Sequence, residues 1–244
     1  MITTFVKLPA CTPRSISSVR AVRMSDVRSR KISAQAIKLY TNPGSRGKIP
    51  EWVLSELNLP YETVLLDMRS GEHKAPKYLE INPFGKVPAM EDGDLKLFES
   101  GGILLHLASK YGQLPQDQLS KAFQWTLFAN STLSPALFEK QAQMPQMLLP
   151  LDKILAMTKY LEGSEFSVSD IAVGSYLLYL PLFFPDLFSS GGFIDKYPNV
   201  WRYMKEIVER PSCPDAYKEG MISAVQASSS KNSGGNPLSN LFKK

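Results

Sequence analysis

The feature that most constrains the fold is a change of periodicity near Gly112. Before this glycine, short runs rich in β-branched and aromatic residues alternate with segments of helical spacing. After it, the long apolar segments repeat every three to four residues, as an α-helix requires. A chain of 244 residues with 43% hydrophobic residues can bury a sizeable core. The sequence therefore predicts an α/β half followed by an all-helical half.

The first half, residues 36–112, has the pattern strand, helix, strand, hairpin, helix. "AIKLY" reads as a strand that ends at "TNPG", and Ile49, Trp52 and Val53 then recur at helical spacing. "ETVLLDM" reads as a second strand, and "KVPAMED" and "LKLFES" flank the hairpin turn "EDGD". "SGGILLHLASKYG" reads as the closing helix. This order predicts a thioredoxin-like domain.

The second half, residues 113–225, is predicted to be all helical. The helical segments are "SKAFQWTLFANSTLSPALFEKQ", "MPQMLLPLDKILAMTKYLEG", "SVSDIAVGSYLLYL" and "YPNVWRYMKEIVERP". Pro181 and Pro185 interrupt the longest apolar run, so no membrane span is expected. Residues 226–244 have low complexity and predict a flexible tail.

The N-terminal leader, residues 1–35, carries most of the positive charge. It holds seven Lys and Arg residues and one acid, a net charge of +6, whereas the whole chain has +5, so the rest is close to neutral at −1. A nearly neutral body argues against a nucleic-acid footprint. The leader is rich in Ser, Thr and Arg, which predicts a transit peptide, and "VRAVRM" favours the chloroplast stroma over the mitochondrion. The alternative is a basic arm that stays attached.

Cysteine usage excludes several kinds of chemistry. Cys11 lies in the leader, so the mature chain would keep only Cys213. A single thiol forms no intramolecular disulfide, no metal cluster and no C-x-x-C redox pair. We therefore expect no metal.

Residues 38 to about 220 resemble a glutathione transferase. The stretch "GEHKAPKYLEINPFGKVPAMEDGDLKLFES", residues 71–100, is similar to the plant phi class, and "LEGSEFSVSDIAV" and "YPNVWRYMKEIVERPSC" resemble later parts of the family. The resemblance implies a thioredoxin-like domain followed by a helical bundle, glutathione as co-substrate and a homodimer. The implied activity is attack of the glutathione thiolate on electrophilic small molecules or organic hydroperoxides.

Ser45 is the candidate catalytic residue. Ser45 and Ser100 both lie at predicted helix starts, where free N–H groups and the helix dipole favour an anion. In phi-like transferases, the serine at the position of Ser45 donates a hydrogen bond to the glutathione sulfur. A hydrogen bond to a charged group contributes roughly 1.5 to 3 kcal/mol, which lowers a thiol pKa by about one to two units. The alternative is a helix cap. Thiol-transferring classes carry a cysteine at this position, so Ser45 argues against disulfide exchange.

The resemblance also implies a set of glutathione-binding residues. Val87 and Pro88 match the valine and cis-proline that present a backbone to the cysteinyl part, and Glu99 and Ser100 match the pair at the γ-glutamyl end. His73 and Lys74 align with the residues that meet the glycyl carboxylate, and Lys86 stands where phi proteins usually have glutamine. The complete predicted set is His73, Lys74, Lys86, Val87, Pro88, Glu99 and Ser100.

Some residues depart from the phi pattern. Pro50 follows Ser45 closely, so either it falls in the first turn of the helix or the helix starts later. Gly101 and Gly102 replace better helix formers, at about 0.8 to 1 kcal/mol each. These departures leave open a second hypothesis, a non-catalytic scaffold or ligand carrier in the organelle. Ser167 and Asp170 predict a capping box.

Overall fold

The computed structural model describes residues 37–189 and 192–229. Its N-terminal half contains a four-stranded sheet in the order β2-β1-β3-β4. β1 (Ile37–Thr41) runs parallel to β2 (Tyr61–Leu65) and antiparallel to β3 (Ala89–Asp92), which forms a hairpin with β4 (Leu95–Phe98). The predicted thioredoxin-like order is confirmed.

Alternation along β1 explains how the sheet is covered on both faces. Ile37 and Leu39 are buried in the main core, which includes residues of α1 (Lys48–Glu56) and α3 (Ser100–Lys110). Tyr40 contributes to a second apolar cluster with Tyr78, which lies in the short helix α2 (Pro76–Leu79). The loops that leave β1 and enter β3 and α3 are therefore held by packing on both sides.

The C-terminal half is helical, as predicted. Its helices are α4 (Gln116–Phe128), α5 (Ser134–Phe138), α6 (Met144–Met157), α7 (Val168–Phe183), α8 (Asp186–Ser189), α9 (Gly192–Lys196), α10 (Pro198–Val208) and α11 (Asp215–Ser229). A π-helical turn over Ala129–Leu133 joins α4 to α5. Helix α11 continues past the predicted start of the tail at residue 226. The predicted transit peptide and the remainder of the tail lie outside the described residues.

Helix α7 is the centre of the helical half. It is apolar on nearly all sides and packs against α1, α4, α10 and α11. The predicted capping box begins this helix: the Ser167 N–H donates to Asp170 Oδ2 at 2.8 Å. Asp170 also accepts bonds from the Leu161 N–H and the Tyr203 hydroxyl, and burial raises its pKa. Among the described residues, none of the helices combines the length and apolar composition that a membrane span requires.

Candidate active site

One cavity of about 360 Å³ brings most of the predicted site residues together. It lies where the loop after β1, the loop before β3 and the start of α3 converge. Its lining residues are Gly44, Ser45, Arg46, Asn82, Lys86, Val87, Pro88, Glu99 and Ser100. A volume of this size falls within the range of small-molecule sites.

Ser45 lies in the turn before α1 and is not the helix cap that the sequence suggested. The N-cap is Gly47, and the helix begins at Lys48. Pro50 therefore falls in the first turn, where its missing N–H costs no intrahelical bond. Pro50 thus lies in the first turn of the helix, as one of the two expected arrangements requires, and the helix itself begins at Lys48, after Ser45.

Backbone N–H groups hold the Ser45 oxygen in place. Ser45 Oγ accepts the N–H of Gly47 at 3.1 Å and, more weakly, that of Asn42 at 3.4 Å. The Thr41 hydroxyl lies 3.1 Å from the same oxygen. Gly47 permits this close packing, because a Cβ at that position would overlap the Thr41 side chain. The turn therefore fixes the oxygen and leaves the hydroxyl hydrogen of Ser45 as a donor.

The helical half also holds this turn. The Tyr179 hydroxyl of α7 donates to the Ser45 carbonyl oxygen at 2.8 Å. Burial raises the pKa of Tyr179, which keeps the phenol protonated as a donor. The next residue, Arg46, donates from Nη2 to Ser134 Oγ at 3.2 Å, and its guanidinium carbon lies 5.5 Å from the centre of the Tyr176 ring.

Glu99 and Ser100 form the wall at the start of α3. Glu99 is the N-cap residue and has a φ of 70°, which is costly for a residue other than glycine. Ser100 is the first helical residue and is only 2% exposed. Its hydroxyl is buried beside that of Tyr176 and forms no hydrogen bond of normal geometry among the described residues, while the residue itself lines the cavity. Ser100 therefore stands at the cavity wall with a hydroxyl whose hydrogen-bonding capacity is not fully used.

The segment that presents Val87 is equally well held. The Val87–Pro88 peptide bond is cis, as the resemblance implied. The Lys86 carbonyl accepts bonds from the Tyr78 hydroxyl at 2.5 Å and from Asn82 Nδ2 at 2.7 Å. Tyr78 and Asn82 thus fix the backbone around Val87, while the Lys86 side chain remains exposed at the cavity.

His73 and Lys74 are not among the residues that line this cavity. They belong to a 3₁₀ turn, Glu72–Lys74, and Lys74 Nζ donates to the Phe84 carbonyl at 3.4 Å. His73 Nδ1 is buried without a hydrogen-bond partner in the described part of the chain. The structure thus places Lys74 Nζ and the His73 carbonyl beside the loop that leads to Lys86, and the proposed contact of the two side chains with the glycyl carboxylate stays a prediction.

Sequence reasoning missed Gly44, Arg46 and Asn82 as lining residues. Gly44 and Arg46 are direct neighbours of Ser45, which was a usable signal. The fold resemblance predicts the pocket for the second substrate around Phe123 and Phe128; neither residue lines this cavity, and that pocket stays a prediction. Among the described residues, no group of three or more His, Cys, Asp or Glu is arranged to hold a metal ion.

Comparison with known proteins identifies the family. The family model described as "Glutathione S-transferase, N-terminal domain" matches residues 35–109, and "Glutathione S-transferase, C-terminal domain" matches residues 116–211. Glutathione S-transferase PARB of Nicotiana tabacum is 32% identical over 209 residues, which covers 72% of this chain and 95% of PARB.

Two solved structures have the same fold. Glutathione transferase F7 of Populus trichocarpa superposes with a TM-score of 0.64 at 28% identity, covering 76% of this chain and 99% of that one. Transferase URE2P6 of Phanerochaete chrysosporium, solved in complex with oxidized glutathione, superposes with a TM-score of 0.67 at 25% identity, covering 78% and 98%. The chain described here belongs to the glutathione S-transferase family, with plant phi-class members among its relatives.

Proposed function

We propose that the protein is a glutathione transferase in which the Ser45 hydroxyl stabilises the glutathione thiolate for attack on an electrophilic small molecule or an organic hydroperoxide. The observation that carries the proposal is the arrangement around one cavity: the fixed Ser45 hydroxyl, the Val87 backbone and the buried Ser100 hydroxyl all line it. The glutathione in the URE2P6 complex supports the same ligand class.

Each of these groups has a function in binding or activation. The Ser100 hydroxyl and the free N–H groups at the start of α3 would hold the γ-glutamyl carboxylate, and the Glu99 carboxylate would hold the amine. Val87 would pair with the cysteinyl backbone, which brings the sulfur towards Ser45. The Ser45 hydroxyl then donates to the sulfur, and roughly 1.5 to 3 kcal/mol of charge-assisted bonding lowers the thiol pKa by about one to two units.

An ultraviolet titration of the glutathione thiolate, with wild type beside Ser45→Ala, tests this function. In the wild type, bound glutathione should ionise about one to two pH units below the free peptide. In the variant, the shift should disappear while glutathione still binds, because Ser100 and Val87 are untouched. A shift that survives in Ser45→Ala would show that another group activates the thiol.

The same titration separates an enzyme from a glutathione-binding scaffold. A wild-type protein that binds glutathione without any shift of the thiol pKa would support the scaffold. Pro50, one of the departures that suggested a scaffold, lies in the first turn of α1 and leaves the helix intact. The site geometry therefore favours the enzyme.

We also propose that the protein forms a homodimer, as the resemblance implied. Phe84 and Phe98 form an edge-to-face pair at 5.4 Å while remaining 65% and 37% exposed. Two such aromatic side chains at the surface suit an interface with a second copy. Analytical ultracentrifugation measures the mass directly, and a monomer at micromolar concentration would contradict the proposal.

For localisation, we propose the chloroplast stroma, with the mitochondrion as the second choice. The support is the composition of residues 1–35, which have few acids and many Ser and Arg residues. A fusion of these residues to a fluorescent protein should enter plastids in plant cells. Uniform cytosolic fluorescence would contradict targeting.

A further inference from the structure

Three charged side chains surround the cavity: Arg46, Lys86 and Glu99. In the part of the chain that the structure describes, none of the three forms an ion pair. Two cations and one anion mirror the charges of glutathione, which carries two carboxylates and one ammonium group at neutral pH. The amine is already matched by Glu99, so the two cations correspond to the two carboxylates.

We propose that Arg46 binds the α-carboxylate of the γ-glutamyl residue of glutathione, together with the Ser100 hydroxyl. The proposal rests on the proposed function, because it concerns the same cavity and the same ligand. It leaves the glycyl carboxylate, at the other end of the peptide, to Lys86.

The position of the guanidinium is the first support. The bond to Ser134 and the stacking on Tyr176 hold Arg46 against the helical half, although its side chain would otherwise be free in solvent. Only one of its N–H groups has a hydrogen-bond partner among the described residues. The remaining N–H groups are available to a planar carboxylate, which a guanidinium binds with two parallel bonds.

The second support is that Arg46 and Ser100 approach the same phenol, because Arg46 donates to Ser134 and the hydroxyls of Ser134 and Ser100 both lie beside that of Tyr176. Burial raises the pKa of Tyr176, the positive charge of Arg46 opposes this shift, and the negative charge of Glu99 adds to it. Both charges therefore act on one hydroxyl. An amino acid group held by Glu99 through its amine places its own carboxylate nearby, since both substituents share one carbon.

The third support is the buried Ser100 hydroxyl. Ser100 lines the cavity at the start of an 11-residue helix whose first N–H groups favour an anion, and its buried hydroxyl forms no hydrogen bond of normal geometry among the described residues. An anion at this point would receive the Ser100 hydroxyl, the helix N–H groups and the Arg46 guanidinium. Lys86 also lines the cavity but is attached to a different loop, beside Val87.

Calorimetric titration with three ligands tests the assignment. The ligands are glutathione, an analogue with 4-aminobutanoyl in place of γ-glutamyl, which lacks the α-carboxylate, and the glycyl ethyl ester of glutathione. Arg46→Gln should weaken glutathione and the ester by about 10- to 100-fold, the effect of one charge-assisted bond, and should barely change the affinity of the 4-aminobutanoyl analogue. Arg46→Lys should recover part of the loss.

Lys86→Gln is the matched control, because it removes the other unpaired cation of the cavity. It should weaken glutathione and the 4-aminobutanoyl analogue while leaving the glycyl ester nearly unchanged, the reverse of the Arg46→Gln pattern. Circular dichroism and the urea midpoint of each variant verify that it folds.

The outcomes separate this assignment from the proposed function. If the wild type binds none of the three ligands, the proposed function fails and the assignment fails with it. If the wild type binds glutathione and Arg46→Gln weakens all three ligands equally or none of them, the assignment alone is wrong. A loss for the 4-aminobutanoyl analogue but not for the ester would show that Arg46 binds the glycyl carboxylate instead. If Arg46→Gln leaves the affinity for glutathione unchanged and loses turnover only of electrophiles that carry a carboxylate, the assignment is wrong and Arg46 binds the second substrate instead.

Discussion

Two adjacent glycines in α3 should respond in opposite directions to the same substitution. Gly101 is buried and Gly102 is exposed. A Cβ built on Gly101 would lie 2.8 Å from Thr126 Cγ2 and closer still to Asn130 Nδ2, whereas one on Gly102 meets only Glu99 Cβ, at 3.9 Å. Gly101→Ala should therefore destabilise the protein, and Gly102→Ala should stabilise it.

The magnitudes follow from these contacts. Replacing a helical glycine by alanine gains about 0.8 to 1 kcal/mol, which is the whole expected effect at Gly102. At Gly101 the overlap costs about 1 to 3 kcal/mol. Moving Asn130 aside also breaks the 2.9 Å bond that its Oδ1 accepts from the Tyr176 hydroxyl, for about 1 to 3 kcal/mol more. The net loss for Gly101→Ala is then about 1 to 5 kcal/mol after the propensity gain.

Urea unfolding at one fixed protein concentration measures both variants against wild type. The midpoints should move apart, with Gly102→Ala above wild type and Gly101→Ala below it. In a protein of this size, each 1 kcal/mol corresponds to roughly 2 to 4 °C in melting temperature, so a thermal scan gives an independent value. Equal stability of the two variants would refute the claim that close packing of α3 on α4 requires Gly101.

Two further predictions concern titratable groups outside the cavity. Burial alone would raise the pKa of Asp92, but its hydrogen bonds with His106, Lys110 and Tyr111 outweigh burial and hold the pKa below its ordinary value. A carboxyl whose pKa is lower in the folded state stabilises the protein at pH values above the unfolded-state pKa, and this stabilisation is lost as the pH falls through the folded-state pKa. The unfolding free energies of wild type and Asp92→Asn should therefore differ by about 1 to 2 kcal/mol near neutral pH and converge in acid. A difference that does not depend on pH would contradict this. Burial raises the pKa of the Cys213 thiol to about 12, so in a Cys11→Ser background the native protein should react with iodoacetamide far more slowly than the urea-unfolded protein, and equal rates would contradict it.

Periodicity was sufficient to predict the layout of the fold. The alternation in β1, the long apolar run of α7 and the apolar spacing of α10 are strong signals, and the structure has these elements where the sequence placed them. Helices α2, α8 and α9 have four or five residues, too few to show a helical repeat. Helix α11 was not among the predicted segments, although Tyr217, Met221 and Val225 are buried at helical spacing, because its polar end merges with the low-complexity sequence that follows.

The site was predicted less completely, because its details depend on contacts between distant parts of the chain. The sequence located the loops of Ser45, Val87 and Ser100, since each carries a recognisable local motif. It did not locate Arg46, whose orientation depends on Ser134, 88 residues later. A lone histidine on a helix, such as His106, predicts a structural role but not its partner, and the structure places its Nε2 2.7 Å from Asp92 Oδ2.

The hydrogen bonds of Ser45 determine how much activation its hydroxyl can supply. Because Oγ accepts two backbone N–H groups, its hydrogen is directed either to Thr41 Oγ1, at 3.1 Å, or to a ligand in the cavity. A thiolate accepts a charge-assisted bond that is roughly twice as strong as a neutral bond, so it draws the hydrogen away from Thr41. The transfer costs the neutral bond, about 0.5 to 1.5 kcal/mol, and the shift in thiol pKa should therefore lie nearer one unit than two. Under the proposed function, Thr41 would orient the Ser45 hydroxyl before glutathione binds and would limit the activation that glutathione gains.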